Sequence, residues 1–500
     1  MTGSATRSRR WAGLGVLSIG VLLVVMDMTV LNVALPAISA DLRPSSVELL
    51  WMVDSYALVL AGLLVTVSAL GDRWGRKRML LTGFAVFGVA SAAMLAADSP
   101  GAVIAVRAVL GVGGAMIMPS TLSMIRHLFT DPAERTTALG VWTAMAAAGG
   151  ALGPVAGGLL LQNLTWQTVF LVNVPVMAAA VVAGLFLLPE SRNPAPGRWD
   201  ALGTVLSITG TVALVHAIKH LAKSGLTDPG ALAATALAAL ALGWFTVRCL
   251  RRPDPLLDIR LLRGGALAAG VVAALSTSIA MVAMLLLMAQ WLQLVQGHSP
   301  LETGVRLLPA AVAALIGSLL APALSRRVGP RVVLAGGLTV TATGFLVPSL
   351  APGPLDYGPV AAALLLMGLG EGALAIASAL IMSSTPSARA GNAAAIEETS
   401  YELGGALGVA VLGSVAAAVY RTNLGYTGPS AAAAHESLGG ALAVAAELGS
   451  TGVWLAQHAR AAFTDSLALT CAAGAALMLL GALTVWLLTP RDLNLTTPAP

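Results

Sequence analysis

Long apolar runs separated by short polar connections set the pattern of this chain. Fourteen such runs cover approximately 11–37, 47–69, 79–97, 101–124, 137–160, 168–188, 201–221, 229–249, 265–293, 304–325, 331–350, 357–384, 391–420 and 466–488. About 20 consecutive apolar residues suffice for a helix to cross a bilayer. The runs are continuous rather than alternating, which excludes a transmembrane β-barrel. Only helices and closed barrels satisfy the backbone in lipid. The pattern therefore predicts an all-α polytopic membrane protein with fourteen transmembrane helices. Arg7-Ser8-Arg9-Arg10 resembles the basic start of a signal peptide. The run that follows, Trp11 to about Ile38, is too long for a signal core and has no clear small-residue cleavage site. A retained first helix is expected.

Composition agrees and adds orientation. The 500 residues are 57% hydrophobic and 10% charged, with a mean hydropathy of +0.85. A soluble domain carries about 25% charged residues. The net charge of +5 is not a nucleic-acid signal. Of the 28 basic residues, the fourteen runs place 21 on one side, 6 on the other and Arg107 inside a run. That is the positive-inside asymmetry, and it predicts cytoplasmic N- and C-termini. Arg outnumbers Lys 25 to 3 and Ala is abundant, which points to a high-GC bacterial genome and so to a bacterial inner membrane. Cys249 and Cys471 fall near opposite faces, too far apart to bridge. There is no nucleotide-binding Walker loop, no metal-spaced His/Cys cluster and no Ser/His/Asp set. An enzyme is not expected, nor are a metal or a cofactor. Without an ATPase module, an ion gradient is the natural energy source.

The connections carry a repeat. Ala69-Leu70-Gly71-Asp72-Arg73-Trp74-Gly75 follows run 2, and Ala323-Leu324-Ser325-Arg326-Arg327-Val328-Gly329 follows run 10. Ala, Leu, Arg and Gly coincide, while Asp72 becomes Arg326. An offset of eight runs suits two six-helix halves separated by an inserted pair. The expected organisation is a tail 1–10, a first half 11–188, an inserted pair 189–264, a second half 265–488 and a tail 489–500. The long connection 421–465 is expected outside, either as a loop or as a hairpin with short helices at Ala441–Glu447 and Val453–Phe463. Paired halves are a transporter architecture, with the site between them near mid-membrane. A receptor or membrane-embedded enzyme should show a soluble domain or a catalytic constellation, and neither appears.

Acids inside the apolar runs mark the candidate chemistry. A charged side chain at a bilayer centre costs roughly 2.5–3.5 kcal/mol or more, so such residues face protein or a wet cavity and handle ions or substrate. Run 13 holds Glu397, Glu398 and Glu402. Glu398 and Glu402 are four apart and share a helix face, whereas Glu397 points elsewhere. Run 1 contributes Asp27. Run 2 contributes Asp54, flanked by Trp51 and Tyr56, whose ring faces attract cations. Near the outer boundary Asp54 can instead be simply hydrated, and the aromatic pair fits an interface belt.

Several motifs together resemble the major facilitator superfamily, in its fourteen-helix drug:proton antiporter branch. The loop Gly71-Asp72-Arg73-Trp74-Gly75-Arg76-Lys77-Arg78 resembles the family's gating loop, although Ser68 stands where the pattern begins with Gly. The resemblance implies that Asp72 pairs with a nearby arginine and with the N-terminal end of run 13. Arg107, in Val106-Arg107-Ala108-Val109-Leu110-Gly111, resembles the proton-coupling arginine of the fourth helix, with Leu110 where Gln is usual. Gly149-Gly150-Ala151-Leu152-Gly153-Pro154-Val155-Ala156-Gly157-Gly158 matches the antiporter signature, which implies export. Met26-Asp27-Met28-Thr29-Val30-Leu31-Asn32 and the start of run 6, with Trp166, Phe170, Asn173 and Pro175, are similar to the same branch.

Trp51 to Val89 and Gly391 to Gly404 look like the branch's quaternary-ammonium and cationic-biocide exporters. The resemblance spans Trp11 to about Leu488. It implies that Asp27, Asp54, Glu397, Glu398 and Glu402 bind protons or substrate, and that the chain is a proton-coupled multidrug exporter of lipophilic cations. Relatives that take divalent cations also use an acid in run 10, and none occurs between Glu302 and Asp356. Monovalent substrates are therefore expected. Met26, Met28, Met116 and Tyr401 are candidates for lining an adaptable pocket, though methionine serves equally in packing. The expected partners are small cationic or lipophilic molecules, protons and lipid, with the chain a monomer. Export of an endogenous metabolite or self-made antibiotic is the alternative.

Overall fold

The computed structural model describes residues 7–42, 44, 46–161, 164–192, 200–224, 228–351, 355–385, 390–491 and 493. Among these residues there is no strand. Fourteen helical spans are long and apolar enough to cross a membrane. The first half contains α1 (Arg7–Leu42), α2 (Ser46–Trp74), α3 (Arg76–Ala93), α4 (Pro100–Leu128) and α5 (Pro132–Leu161). Its sixth span is broken into α6 (Trp166–Leu171) and α7 (Asn173–Leu187). The inserted pair is α8 (Ala201–Ser224) and α9 (Pro229–Arg251). The second half runs through α10 (Gly265–Gln290), α11 (Pro300–Val328) and α12 (Pro330–Leu350), then a span divided into α13 (Tyr357–Gly370) and α14 (Gly372–Ser383). It ends with α15 (Ala390–Leu424), two short helices α16 (Ala431–Glu436) and α17 (Leu438–Glu447), and α18 (Val453–Leu488).

The packing repeats between halves. In the first, α1 lies on α5, α2 on α4 and α3 on α7. In the second, α10 lies on α15, α11 on α13 and α12 on α18, the same first-with-fifth, second-with-fourth and third-with-sixth order. Across the seam the relation is reciprocal: α5 packs on α11, and α15 packs on α2. The sequence repeat sits at matching turns. Gly75 and Gly329, with φ +117° and +86°, each start the next helix. Their amides donate to Gly71 O at 3.0 Å and Ser325 O at 2.9 Å. A side chain at either φ is strained, which is why glycine recurs there.

Small residues let α5 serve both halves. A Cβ at Gly149 or Gly153 would collide with the α1 backbone at Leu22 and Met26, and one at Gly158 would meet Leu301 of α11 at 2.9 Å. On α15, Gly404 and Gly408 press on the backbone of α10 at Leu275 and Ile279 with the same four-residue spacing. Close backbone approach through small residues is the usual device for helix packing in lipid.

The inserted pair lies outside the twelve-helix core. Its α8 packs on α2 and α15, and α9 packs on α8. Leu232, Leu240 and Trp244 of α9 are exposed, as a lipid-facing surface requires. At the end that carries the chain termini, Asp200 caps α8 by accepting from Gly203 N at 2.9 Å and holds Arg248 of α9 at 2.8 Å. Arg248 keeps the Asp200 carboxyl below its usual range, although burial acts in the opposite sense.

The connection after run 13 differs from the expected 421–465 segment. The helix α15 extends to Leu424, and Val453–Phe463 is the first part of α18 rather than a separate helix. Between them lie α16, α17 and a single 3-10 turn, Gly449–Gly452. Tyr420 Oη donates to Ala434 O at 3.1 Å, and Leu438, Ala441 and Val444 are buried. The segment is therefore a structured helical hairpin.

Candidate functional site

Two groups of buried ionisable residues face each other across the seam. The first belongs to the N-terminal half. Asp27 of α1 is fully buried, and Arg107 of α4 is 2% exposed. Arg107 Nη1 donates to Asp27 Oδ2 at 2.6 Å, and its Nε donates to Met52 O at 3.2 Å. Asn173, at the start of α7, donates to Asp27 Oδ1 at 3.1 Å and to Ser91 Oγ at 3.2 Å. Both Asp27 oxygens are thus partnered. Tyr56 of α2 lies with its ring centroid 4.5 Å from the Arg107 guanidinium carbon. This cation–π contact fixes the arginine from a third helix.

The second group lies on α15. Glu397 and Glu398 are 3% and 2% exposed. Glu397 Oε1 accepts from Ser378 Oγ of α14, but its Oε2 has no hydrogen-bond partner. Glu398 Oε1 also lacks one. Glu398 lies in the fields of both Glu397 and Glu402. Among the described residues no Lys, Arg or His pairs with Glu397 or Glu398, so this patch contrasts with the neutralised Asp27 site. Tyr56 bridges the two groups electrostatically, since it senses Asp27, Arg107 and Glu402. Tyr401 senses Glu398, Glu402 and a further acid, Glu371.

The other sequence-predicted residues divide by place. Asp54 is half-buried about two turns into α2, and Trp51 is 45% exposed. Met26 and Met116 are buried in the apolar core, and Met28 packs against it. At the basic end, Asp72 holds Arg76 Nη2 at 2.7 Å. A Cβ on Gly391 would fall 2.6 Å from Asp72 Oδ2, so the acid lies directly against the start of α15. Such a place favours a negative charge by roughly 0.3–1 kcal/mol. Glu190, beyond α7, grips the rest of the loop. It accepts from Lys77 N at 3.2 Å, lies 3.6 Å from Arg78 Nε and abuts Gly75. Arg73 is half-buried. Ser68 donates to Gly391 O, and Arg126 at the end of α4 donates to Thr385 O beyond α14. The seam is sealed at this end. A Cβ on Gly304 of α11 would fall 3.0 Å from Pro154 of α5, and Gly157 of α5 is buried.

Sequence reading missed three members of this arrangement: Asn173 as a ligand of Asp27, Ser378 as a donor to Glu397, and Glu371. The signal for Glu371 was present, since it is an acid inside the apolar run 357–384.

Comparison with known proteins agrees with this architecture. The multidrug efflux pump LfrA of Mycolicibacterium smegmatis is 42% identical over 492 residues, covering 97% of each chain. The methyl viologen resistance protein SmvA of Salmonella typhimurium is 36% identical, covering 96% of this chain and 98% of its own. The tetracenomycin C resistance and export protein of Streptomyces glaucescens is 34% identical, over 87% of this chain and 82% of its own. Among solved structures, the proton:xylose symporter XylE matches with a TM-score of 0.64 at 13% identity, covering 97% of each chain, a likeness of fold. The family model of the Major Facilitator Superfamily matches residues 17–409. With fourteen spans, two reciprocally packed halves and multidrug and antibiotic resistance pumps as relatives, the chain belongs to the Major Facilitator Superfamily.

Proposed function

We propose that this protein is a proton-coupled multidrug exporter that moves lipophilic, monovalent cations out of a bacterial cell by alternating access. The observation that carries the reading is the row Glu397, Glu398 and Glu402 at the seam, with Glu397 and Glu398 buried and Glu402 half-buried, and with no basic partner for Glu397 or Glu398 among the described residues. An isolated buried carboxylate is costly and takes up a proton or a cation. One acid set can therefore hold a proton or a drug cation but not both. The proton gradient supplies the energy, and no cofactor takes part.

The halves supply different parts. When the outer side is open, protonation of Glu398 and Glu402 releases the cation outward. After the seam reopens at the basic end, proton loss restores the site. Asp27 and Arg107 act as a coupling switch, because a proton on Asp27 weakens its ion pair and frees the guanidinium under Tyr56. Asp54 and Trp51 provide an outer cation contact, and Tyr401, Met26, Met28 and Met116 adapt to varied shapes. Asp72, Arg73, Arg76, Lys77 and Arg78 with the start of α15 form the latch that keeps the basic end closed. That end is cytoplasmic, with both termini, by the positive-inside asymmetry. The working unit is a monomer in the inner membrane.

Drug-driven proton release in everted vesicles tests the reading. Glu398→Gln and Glu402→Gln should abolish it in folded protein. Coupling unchanged in both, and in Asp27→Asn, would sink the acid-exchange scheme. A panel of monovalent, divalent and neutral drugs tests the charge preference. The relative named for methyl viologen, itself a dication, makes the divalent arm the most exposed. A second reading, export of a self-made antibiotic, draws on the tetracenomycin C relative and on the puromycin resistance protein of Streptomyces alboniger. Resistance to neutral antibiotics without resistance to cations would favour it.

A further inference from the structure

Glu371 lies outside the acid row and outside every motif described above. It is 5% exposed, at the break between α13 and α14. Its flanking glycines wedge it between two neighbours. A Cβ on Gly370 would strike α12 at Thr341, and one on Gly372 would lie 2.6 Å from Gly317 O of α11. The carboxyl lines a small cavity with Thr277, Ala280 and Met281 of α10, Thr341 of α12 and Met367 of α13. The space is of the order that holds about one water molecule. Glu371 Oε2 has no hydrogen-bond partner, and neither has Thr277 Oγ1, which is itself 4% exposed. Two orphaned polar atoms at one cavity call for an occupant, since each costs free energy when unsatisfied.

We propose that Glu371 is a second proton-binding site, internal to the C-terminal half, which exchanges its proton through a water in the cavity shared with Thr277 and Thr341. A protonated carboxyl can donate to that water and an ionised one can accept from it, while Thr277 can do either. Hard metal cations take about six or more oxygens. One carboxyl and two hydroxyls among Ala280, Met281 and Met367 fall short of that. Tyr401 of α15 is within electrostatic reach of Glu371 as well as of Glu398 and Glu402. The residues lining the cavity from α10, α12 and α13 bring no charge. Tyr401 thus links this site to the acid row electrostatically. A proton lost by Glu371 to the water passes to bulk or to the row, leaving the carboxylate to be reprotonated by the reverse step.

Infrared difference spectra of purified protein between acidic and alkaline pH test this without transport. The wild type should show a deuterium-sensitive carboxyl C=O band that vanishes in Glu371→Gln and returns, shifted, in Glu371→Asp. Thr277→Val should keep the band and move its titration midpoint. A band set in Glu371→Gln identical to wild type, or no titration of that component, overturns the proposal. If Glu371→Gln does not fold, the Glu371→Asp and Thr277→Val spectra decide alone: unshifted spectra in both overturn it. The transport arm rests on the proton-exchange reading above. There, Glu371→Gln should lower the protons moved per drug while drug binding persists. A wild type that exports without moving protons would defeat that reading, and the infrared result would still decide Glu371.

Discussion

The two halves share one packing scheme yet treat their buried acids in opposite ways. In the N-terminal half, Asp27 meets Arg107 at 2.6 Å and Asn173 at 3.1 Å, so its charge is balanced within the protein. In the C-terminal half, Glu371, Glu397 and Glu398 each retain an oxygen without a partner, and among the described residues none of them pairs with a basic side chain. The latch turns differ in the same sense. Asp72 in the first copy lies against α15, whereas its counterpart Arg326 in the second is exposed. Equal folds therefore carry unequal chemistry: one half is wired internally, and the other leaves valences for something that comes and goes. Transport by paired halves needs such asymmetry, because a ligand shifts a conformational equilibrium only through differential affinity for the two states.

The largest effect expected is on stability at the wired site. Removing one partner of a buried ion pair costs about 3–5 kcal/mol, because the other charge is left uncompensated. Asp27→Ala should therefore lower the unfolding temperature in detergent well below that of any other single change discussed here. Asp27→Leu combined with Arg107→Met should recover most of the loss, since an apolar pair of similar bulk avoids the orphan charge. Equal destabilisation in the single and double variants would mean that the pair is not what holds α1 to α4.

Next in size is a comparison of the repeated turns. Gly329→Ala should cost about 1–3 kcal/mol, the usual penalty for a side chain in a sparsely allowed backbone region. Nothing lies within 4 Å of a Cβ there. Gly75→Ala should cost more, because its Cβ would also fall 2.6 Å from Glu190 Oε1. Thermal melts of the two variants side by side measure the difference. Equal losses would show that Glu190 yields freely and does not grip the loop.

Much of this asymmetry was legible in the sequence, and the part that was not has a physical reason. Fourteen apolar runs announce fourteen spans because lipid leaves the backbone no alternative to the helix. The glycine turns reveal the repeat because a positive φ restricts the residue type. Intramembrane acids stand out because their cost in lipid makes them rare. Partnership is another matter. That Asp27 is balanced depends on Arg107 and Asn173, 80 and 146 residues away, and no spacing rule connects them. Glu397 and Glu398 are adjacent in sequence, yet one reaches Ser378 of α14 while the other faces its own row. Glu371 passed unnoticed because a single acid among Gly and Leu lacks the company that made the triplet on α15 conspicuous. The last helix starts at Val453 rather than at 466, because the segment 453–463 is rich enough in Ala and other apolar residues to continue the helix it leads into.

A smaller effect is expected where valences are open. Glu398→Gln removes a charge that no basic side chain balances among the described residues, and it nearly keeps the shape. Stability should stay the same or rise by about 1 kcal/mol, as expected when an unsatisfied buried group is made less costly. Measured in the same melts as Asp27→Ala, a drop of several kcal/mol at Glu398 would erase the contrast between the halves. It would show that the acid row carries structure as well as exchangeable charge.

The smallest effect belongs to the inserted pair, which lies outside both halves and serves as the control. Asp200 is tied to Arg248 and Arg252 at 2.8 Å and 3.6 Å, on partners that are partly exposed. Its carboxyl is held below the usual range in the folded protein. A depressed folded value means that its stabilisation is present above the unfolded carboxylate range and is lost as pH falls through the folded value. Asp200→Asn should therefore reduce stability slightly near neutral pH and match the wild type in strong acid, where both are uncharged. Raising the salt should shrink the difference further, because partly exposed pairs are screened. Drug-driven proton release should not change, since the pair packs on α2 and α15 from outside and contributes no residue to either buried acid group. A loss of coupling in Asp200→Asn without a change in melting would instead make α8 part of the moving seam, and the division into two halves and a passive pair would have to be redrawn.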